Sequence, residues 1–169
     1  MPSCVLPHAI RARTVDLAIA ADHDQSSMEM HRARSIAHER HAGDREESGA
    51  PLLRHIRRVA SRTPAEARAV AWLHEMLEWT SVPEQELLAE GLTSDELRAL
   101  RLLERTGDAR SDHIYLAHVE LIACAAGRAG YLARTVKIAD LEDRLLHPRV
   151  RPGGWSPPYG QGLQRLVET

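Results

Sequence analysis

Residues 72–78 read Trp-Leu-His-Glu-Met-Leu-Glu, which places one imidazole and two carboxylates inside an apolar stretch with helical spacing. Side chains four residues apart share one face of a helix, so we expect His74 and Glu78 to lie together with Glu75 beside them. A helix rarely buries three ionisable groups unless a metal ion or a proton-transfer task compensates for their desolvation. This stretch therefore predicts a helix that carries a metal or catalytic site.

Helical spacing continues on both sides of this stretch, without alternating β-branched runs or an internal repeat. The segment 63–66 has the residues of a helix start, with Thr63 as N-cap, Pro64 at the first helical position and Glu66 two residues later. Periodicity and the positions of Gly and Pro predict helices over about 30–41, 52–61, 63–80, 81–91, 93–106, 112–126, 131–146 and 160–167. The predicted fold class is all-α.

The length of 169 residues suits a single domain with a substantial core. Residues 28–169 are predicted to form that domain, preceded by an extension, residues 1–27, that is either disordered or a helical arm. The sequence makes no prediction about the oligomeric state.

Composition argues against several classes of partner. The hydrophobic fraction is 43% and the formal net charge is −2, so neither a nucleic acid nor a membrane is an expected partner. No apolar run approaches the roughly 18 to 20 residues that span a bilayer. With two cysteines and no apolar secretory segment, the expected location is the cytoplasm.

Two more segments complete a candidate metal site. His55 precedes the central stretch, and Lys137-Ile138-Ala139-Asp140 follows it on a third predicted helix. Taken singly, each residue has a plainer interpretation: His74 as a core histidine, His55 in a solvated arginine-rich helix, and Asp140 on an acidic surface. Together, imidazole and carboxylate ligands suit manganese, iron or zinc without choosing among them. A divalent ion held in this way favours phosphoester hydrolysis, because it activates water and neutralises phosphate oxygens.

The order of these residues resembles a known ligand pattern. His55, then His74-Glu75, then Asp140 is similar to the H…HD…D pattern of HD-domain metal-dependent phosphohydrolases. The segments 48–55 (SGAPLLRH), 71–80 (AWLHEMLEWT) and 135–140 (TVKIAD) resemble the (p)ppGpp hydrolase domain of RelA/SpoT-type proteins and their small stand-alone relatives. The resemblance extends from about Met30 to Leu146.

The resemblance implies an HD-domain-like helical bundle and a role for each matching residue. It implies one divalent ion, with manganese expected first and iron or zinc as alternatives, bound by His55, His74, Glu75 and Asp140. Two residues would be catalytic: Glu78 would activate or orient the attacking water, and Lys137 would pair with Asp140 or meet a substrate phosphate. Arg45, Trp79 and Arg144 would bind the substrate. That substrate would be small and phosphorylated, with a nucleotide expected and removal of the 3′-pyrophosphate of (p)ppGpp as the reaction suggested.

Three departures from the family pattern keep other functions open. Glu75 stands where the family has aspartate, and Trp79 replaces an acidic residue. Glu46 and Glu47 occupy the position of a basic pair that contacts the nucleotide. The alternatives are a non-catalytic HD-fold domain that senses a ligand or binds a protein, and a helical interaction module that shares only the fold.

Overall fold

Helices make up the architecture of the described part of the chain. The computed structural model describes residues 28–46, 48–105, 111–148 and 156–168. The α-helices are α1 (Met30–Arg40), α2 (Leu52–Arg62), α3 (Arg68–Leu73), α4 (Met76–Trp79), α5 (Glu84–Ala89), α6 (Ser94–Leu103), α7 (Asp112–Cys124), α8 (Gly127–Leu146) and α9 (Tyr159–Val167). These four ranges contain no β-strand, which confirms the all-α prediction. The predicted extension, residues 1–27, lies outside the described residues.

Helix α8 is the element around which the others are arranged. It packs against α2, α3, α6, α7 and α9. Its buried face carries Leu132, Val136 and Leu141, and it also buries Lys137 and Asp140 among these apolar groups. Buried charges need partners, so the position of α8 determines where the polar centre of the protein must lie.

One face of α2 packs into this core. Leu52, Ile56 and Val59 are fully buried, and Leu53 packs partly buried against them. His55 lies on the same side of the helix and is also buried. The four-residue and three-residue spacings along this face therefore bring an imidazole into contact with α8.

The predicted continuous helix over 63–80 is wrong, because the structure divides it. A 3-10 helix (Ala65–Ala67) precedes α3, and a turn at His74 and Glu75 separates α3 from α4. Glu75 has φ −95° and ψ −2°, the bridge region in which many active-site residues lie. The predicted cap is also wrong: the Thr63 hydroxyl donates to the Val59 carbonyl at the end of α2, 2.9 Å away. The turn places both His74 and Glu75 at a point where they face α2 and α8.

Helix α8 begins earlier than predicted, at Gly127 rather than Tyr131. The glycine at position 130 permits this start, because a Cβ there would lie 2.0 Å from the Ala125 carbonyl oxygen. The tight passage from α7 into α8 therefore requires Gly130. Over the part of the chain that is described, no helix combines the length and apolar character needed to cross a bilayer.

Candidate metal centre

Four predicted ligands meet at one point inside the protein. His55 comes from α2, His74 and Glu75 from the turn between α3 and α4, and Asp140 from α8. One ligand atom from each residue can be chosen so that all lie within 4.8 Å of one another, and all four residues are buried. Such a group can hold a metal ion, with two nitrogen and two oxygen ligands.

The two imidazoles present their Nε2 atoms to each other. His74 donates from Nδ1 to the Ala71 carbonyl oxygen at 2.7 Å, and His55 donates from Nδ1 to Asp143 at 2.8 Å. A neutral imidazole with a proton on Nδ1 has its lone pair on Nε2. The two Nε2 atoms are 3.3 Å apart, a distance at which two facing lone pairs repel unless a proton or a cation lies between them. The arrangement therefore fits a cation ligated by both nitrogens.

The two ligand carboxylates are charged although they are buried. Burial alone would raise the pKa of Glu75, but its contacts with the imidazoles of His55 and His74 and the charge of Arg144 hold it well below its ordinary value. Burial likewise opposes ionisation of Asp140, whose pKa is lowered by Arg144, Lys137 and His55. The centre thus offers two negative oxygen ligands.

The pKa of His55 is shifted in the opposite sense. Burial and the charge of Arg144 lower it, but hydrogen bonds to Asp140, Asp143 and Glu75 outweigh them and raise it to about 9. In the absence of an ion, a proton on Nε2 therefore takes the place of a cation between the ligand atoms.

Asp143 lies behind His55 and orients it. Its carboxylate also accepts hydrogen bonds from Arg58 at 2.7 and 2.9 Å and from Arg62 at 2.6 Å. Burial raises the pKa of Asp143, but its bonds with His55 and the two arginines lower it far more. The sequence analysis did not give Asp143 this role, although its position three residues after Asp140 places both on one face of α8. Asp143, held by the two arginines, therefore fixes the orientation of the His55 ring, on which the geometry of the ligands depends.

Arg144, predicted to bind substrate, lies inside the cluster itself. Its Nε donates to Asp140 Oδ1 at 2.6 Å, and its Nη2 donates to Glu75 Oε1 at 2.8 Å. The same Nη2 is 3.4 Å from His55 Nε2. The guanidinium therefore contacts three of the four candidate ligands, and only 9% of its side chain is exposed.

The two predicted catalytic residues lie on either side of the ligands. Lys137 is buried and donates to Asp140 Oδ2 at 2.9 Å, which is one of the two contacts expected for it. Glu78 is at the rim, where Arg105 Nη2 donates to its carboxylate at 2.6 Å. Sequence reasoning missed Arg105, because a residue beyond the end of α6 carries no local signal of a contact with α4.

Of the two remaining predicted substrate residues, Trp79 contacts a ligand and Arg45 does not. Trp79 is 38% exposed, and its indole N–H donates to Glu75 Oε2 at 3.0 Å. Arg45 is exposed and donates to the Gly49 carbonyl oxygen at 2.9 Å, outside the pocket around the ligands. Glu47, one of the two acidic residues at the position of the family's basic pair, lies outside the described residues.

A narrow pocket opens onto the cluster. Its volume is about 10 Å³, room for about one water molecule. It is lined by His74, Glu75, Glu78, Leu103, Arg105, Tyr115, Lys137, Asp140, Arg144 and Tyr159. The sequence analysis did not single out Tyr115, whose buried hydroxyl has no hydrogen-bond partner among the described residues. The pocket thus joins three of the four ligands, Glu78 and five donor side chains in one space.

A wider cavity lies elsewhere, between α6 and the start of α8. Its volume is about 580 Å³, and its lining includes Arg98, Arg101 and Arg128. These arginines are exposed, and the first two are paired with Asp95 and Glu84. No buried polar side chain lines this cavity, whereas several line the smaller pocket.

Comparisons with known proteins add no family assignment to this geometry. Neither protein-family models nor curated proteins gave a match to the chain.

Proposed function

We propose that this chain is a metal-dependent phosphohydrolase of the HD type, acting on a nucleotide or another small phosphoester. Manganese is the ion proposed first, with iron and zinc as alternatives. The observation that carries the proposal is the convergence of His55, His74, Glu75 and Asp140, with both Nε2 atoms turned inward, next to a pocket that contains Glu78. The resemblance to the (p)ppGpp hydrolase domain supports the same reaction class and suggests (p)ppGpp as one substrate to test.

Four residues of the pocket have a role in the proposed reaction. A bound divalent ion supplies Lewis-acid polarisation of water and phosphate oxygens. Glu78 accepts the proton of the attacking water as a new oxygen–phosphorus bond forms and the ester bond breaks. Arg105 holds the Glu78 carboxylate in position, since it donates to it at 2.6 Å. Lys137 and Arg144 provide the positive charge that a phosphate needs in a buried site.

A second candidate function rests on the size of the pocket. Arg144 already contacts the carboxylates of Glu75 and Asp140, and the pocket that it lines has a volume of only about 10 Å³. A centre that Arg144 already occupies is compatible with an HD-fold domain that senses a ligand without turning it over. Metal binding without turnover would favour this alternative.

The metal centre is tested first by metal analysis of the purified protein and by titration with MnCl₂. We expect one ion per chain, and His74→Ala and Asp140→Ala should each abolish binding because each removes a ligand. Hydrolysis is then measured on a panel of nucleotides, (p)ppGpp and p-nitrophenyl phosphate. Absence of bound metal together with absence of turnover across this panel would overturn the proposal.

The role of Glu78 is tested by Glu78→Gln. The amide cannot accept a proton, so turnover should fall by about 100-fold or more while manganese affinity stays unchanged. Glu86→Gln is the matched control, because Glu86 is also paired with an arginine, Arg40, but lies outside the pocket. Equal activity of the wild type and Glu78→Gln would remove Glu78 from the mechanism.

A further inference from the structure

The guanidinium of Arg144 uses the same oxygen atoms that an ion would use. Its two short hydrogen bonds reach Asp140 Oδ1 and Glu75 Oε1. These are also the two carboxylate oxygens that lie 3.3 and 3.4 Å from His55 Nε2. Because an oxygen that ligates an ion turns a lone pair toward it, Arg144 and the ion compete for the same electron density.

With His55 neutral, as it must be when it ligates an ion, the charges at the ligands balance without counting the ion. Glu75 and Asp140 contribute two negative charges, and Arg144 and Lys137, each hydrogen-bonded to them, contribute two positive charges. Asp143 lies outside this sum, since its single negative charge is paired with two partly exposed arginines, Arg58 and Arg62. A divalent ion would therefore add two uncompensated positive charges to a buried site, which is costly. A doubly charged phosphate group would restore the balance.

The pocket has no room for a phosphate while Arg144 remains in place. Its volume of about 10 Å³ accommodates about one water molecule, and Arg144 is part of its wall. The Tyr159 ring borders the guanidinium on one side, with its centre 6.0 Å from Arg144 Cζ. An aromatic face stabilises a displaced guanidinium.

We propose that Arg144 is a resident cation of the metal centre, which leaves the carboxylates when the ion binds and then binds the phosphate group of the substrate. This inference rests on the proposed function and adds an order of events to it. A guanidinium suits both partners, because its planar donors fit carboxylate and phosphate oxygens alike. The ion and the phosphate then bind with positive coupling, and the coupling is reciprocal: each raises the affinity of the other by the same factor.

The test is calorimetric titration of MnCl₂ into the protein, with and without inorganic phosphate as the anion probe. For the wild type we expect phosphate to raise manganese affinity by about tenfold, within the usual range of coupling between sites. For Arg144→Gln we expect manganese alone to bind about tenfold more tightly, because the competing charge is gone. The effect of phosphate should then disappear, since the residue that receives it is missing.

Arg128→Gln is the matched control. Arg128 lies on the same helix but is exposed and away from the pocket, so its loss removes an equal charge without touching the ligands. This variant should reproduce both wild-type affinities. Arg144→Lys provides a second test if the glutamine variant does not fold: one ammonium cannot span both carboxylates, so manganese should bind more tightly than in the wild type.

The outcomes separate this inference from the proposed function. If Arg144→Gln binds manganese with wild-type affinity, or keeps the full effect of phosphate, Arg144 is only a structural partner of the carboxylates and the inference is wrong. Unchanged affinities in Arg144→Lys would overturn it equally. Binding to Arg144→Gln but not to the wild type supports it. Failure of both proteins to bind manganese overturns the metal centre and this inference with it.

Discussion

The indole N–H of Trp79 donates to Oε2 of Glu75 at 3.0 Å. These two residues are the departures from the HD-type pattern that flank the candidate centre, and the sequence presents them as separate losses. In the structure, one hydrogen bond joins them. Trp79 engages Oε2 and so leaves Oε1 directed toward His55. The indole thereby restricts the longer glutamate, whose extra methylene would otherwise leave its carboxylate less well oriented.

Trp79→Phe should therefore weaken metal binding while leaving the fold intact. The phenyl ring keeps the apolar contact but lacks the donor, so the Glu75 carboxylate gains freedom that binding must remove. We expect manganese affinity to fall by about tenfold, as is typical for the loss of a group that orients a ligand. Isothermal titration calorimetry measures the affinity, and thermal unfolding should show little change because Trp79 is 38% exposed.

Tyr131→Phe is the control for this effect, since it removes another aromatic donor to a glutamate, Glu66, far from the centre. A double-mutant cycle with Glu75→Asp tests the pairing itself. The shorter carboxylate should no longer depend on the indole, so the two effects should not add. Additive effects would show that Trp79 does not act through Glu75.

Asp143→Asn should weaken the metal centre by removing the residue that orients His55. The change removes the charge that holds His55, Arg58 and Arg62 together, and the His55 ring loses its fixed orientation. We expect manganese affinity to fall by about 10-fold to 100-fold. The free energy of unfolding should fall by about 2 kcal/mol, because hydrogen bonds to a charged group are lost. Glu142→Gln, an exposed neighbour on the same helix, should change neither quantity.

Arg105→Gln tests the support of the proposed general base. Without the guanidinium, the Glu78 carboxylate is free to leave its position, and misplacement of a catalytic group by about 1 Å can cost about 100-fold in rate. We expect kcat to fall by about 10-fold to 100-fold with manganese affinity unchanged, and Arg105→Lys to recover part of the loss. Arg101→Gln removes an equivalent exposed pair with Glu84 and should leave kcat unaltered. Equal kcat values for the wild type and Arg105→Gln would exclude this positioning role.

The sequence predicted the features of the fold that depend on the spacing of neighbouring residues. Helical periodicity predicted helices that correspond to α2 and α6, and in the structure Thr93 begins α6 with a capping box formed with Glu96. The spacing of charged groups within apolar segments also identified the four residues that meet at the centre. The helices and the cap depend on residues within a few positions of one another, whereas the ligand set depends on the order of three separate motifs.

What the sequence did not predict depends on contacts between distant segments. The turn at His74 and Glu75 contains neither glycine nor proline, so nothing in the local sequence marks it. The turn forms because the side chains of both His74 and Glu75 point toward α2 and α8. The contact of Arg105 with Glu78 and the position of Tyr115 in the pocket have the same origin. Arg144 belongs in part to this class, since its i,i+4 spacing from Asp140 predicts one contact but not the one with Glu75.

His118 makes the stability of the protein depend on pH. Its Nε2 donates to the Leu102 carbonyl oxygen at 2.9 Å, and its Nδ1 has no partner within the described ranges. Burial and the charge of Lys137 lower the pKa of His118 to about 4. The unfolded state, with an ordinary pKa of about 6.5, binds a proton that the folded state does not, so stability falls as the pH drops from about 6.5 to about 4. This one group should lower the free energy of unfolding by about 2 kcal/mol as the pH falls from about 7 to about 5.

His118→Gln should remove that contribution, because its amide can still donate to Leu102 and does not titrate. Urea unfolding at several pH values measures it, and the quantity compared is the change in unfolding free energy between pH 7 and pH 5, not its absolute value. Other titrating groups, including His55, contribute equally to both proteins and cancel in the difference. His113→Gln, an exposed position on the same helix, should keep the wild-type dependence. If His118→Gln loses as much stability on acidification as the wild type, His118 takes up its proton in the folded state and the burial argument fails.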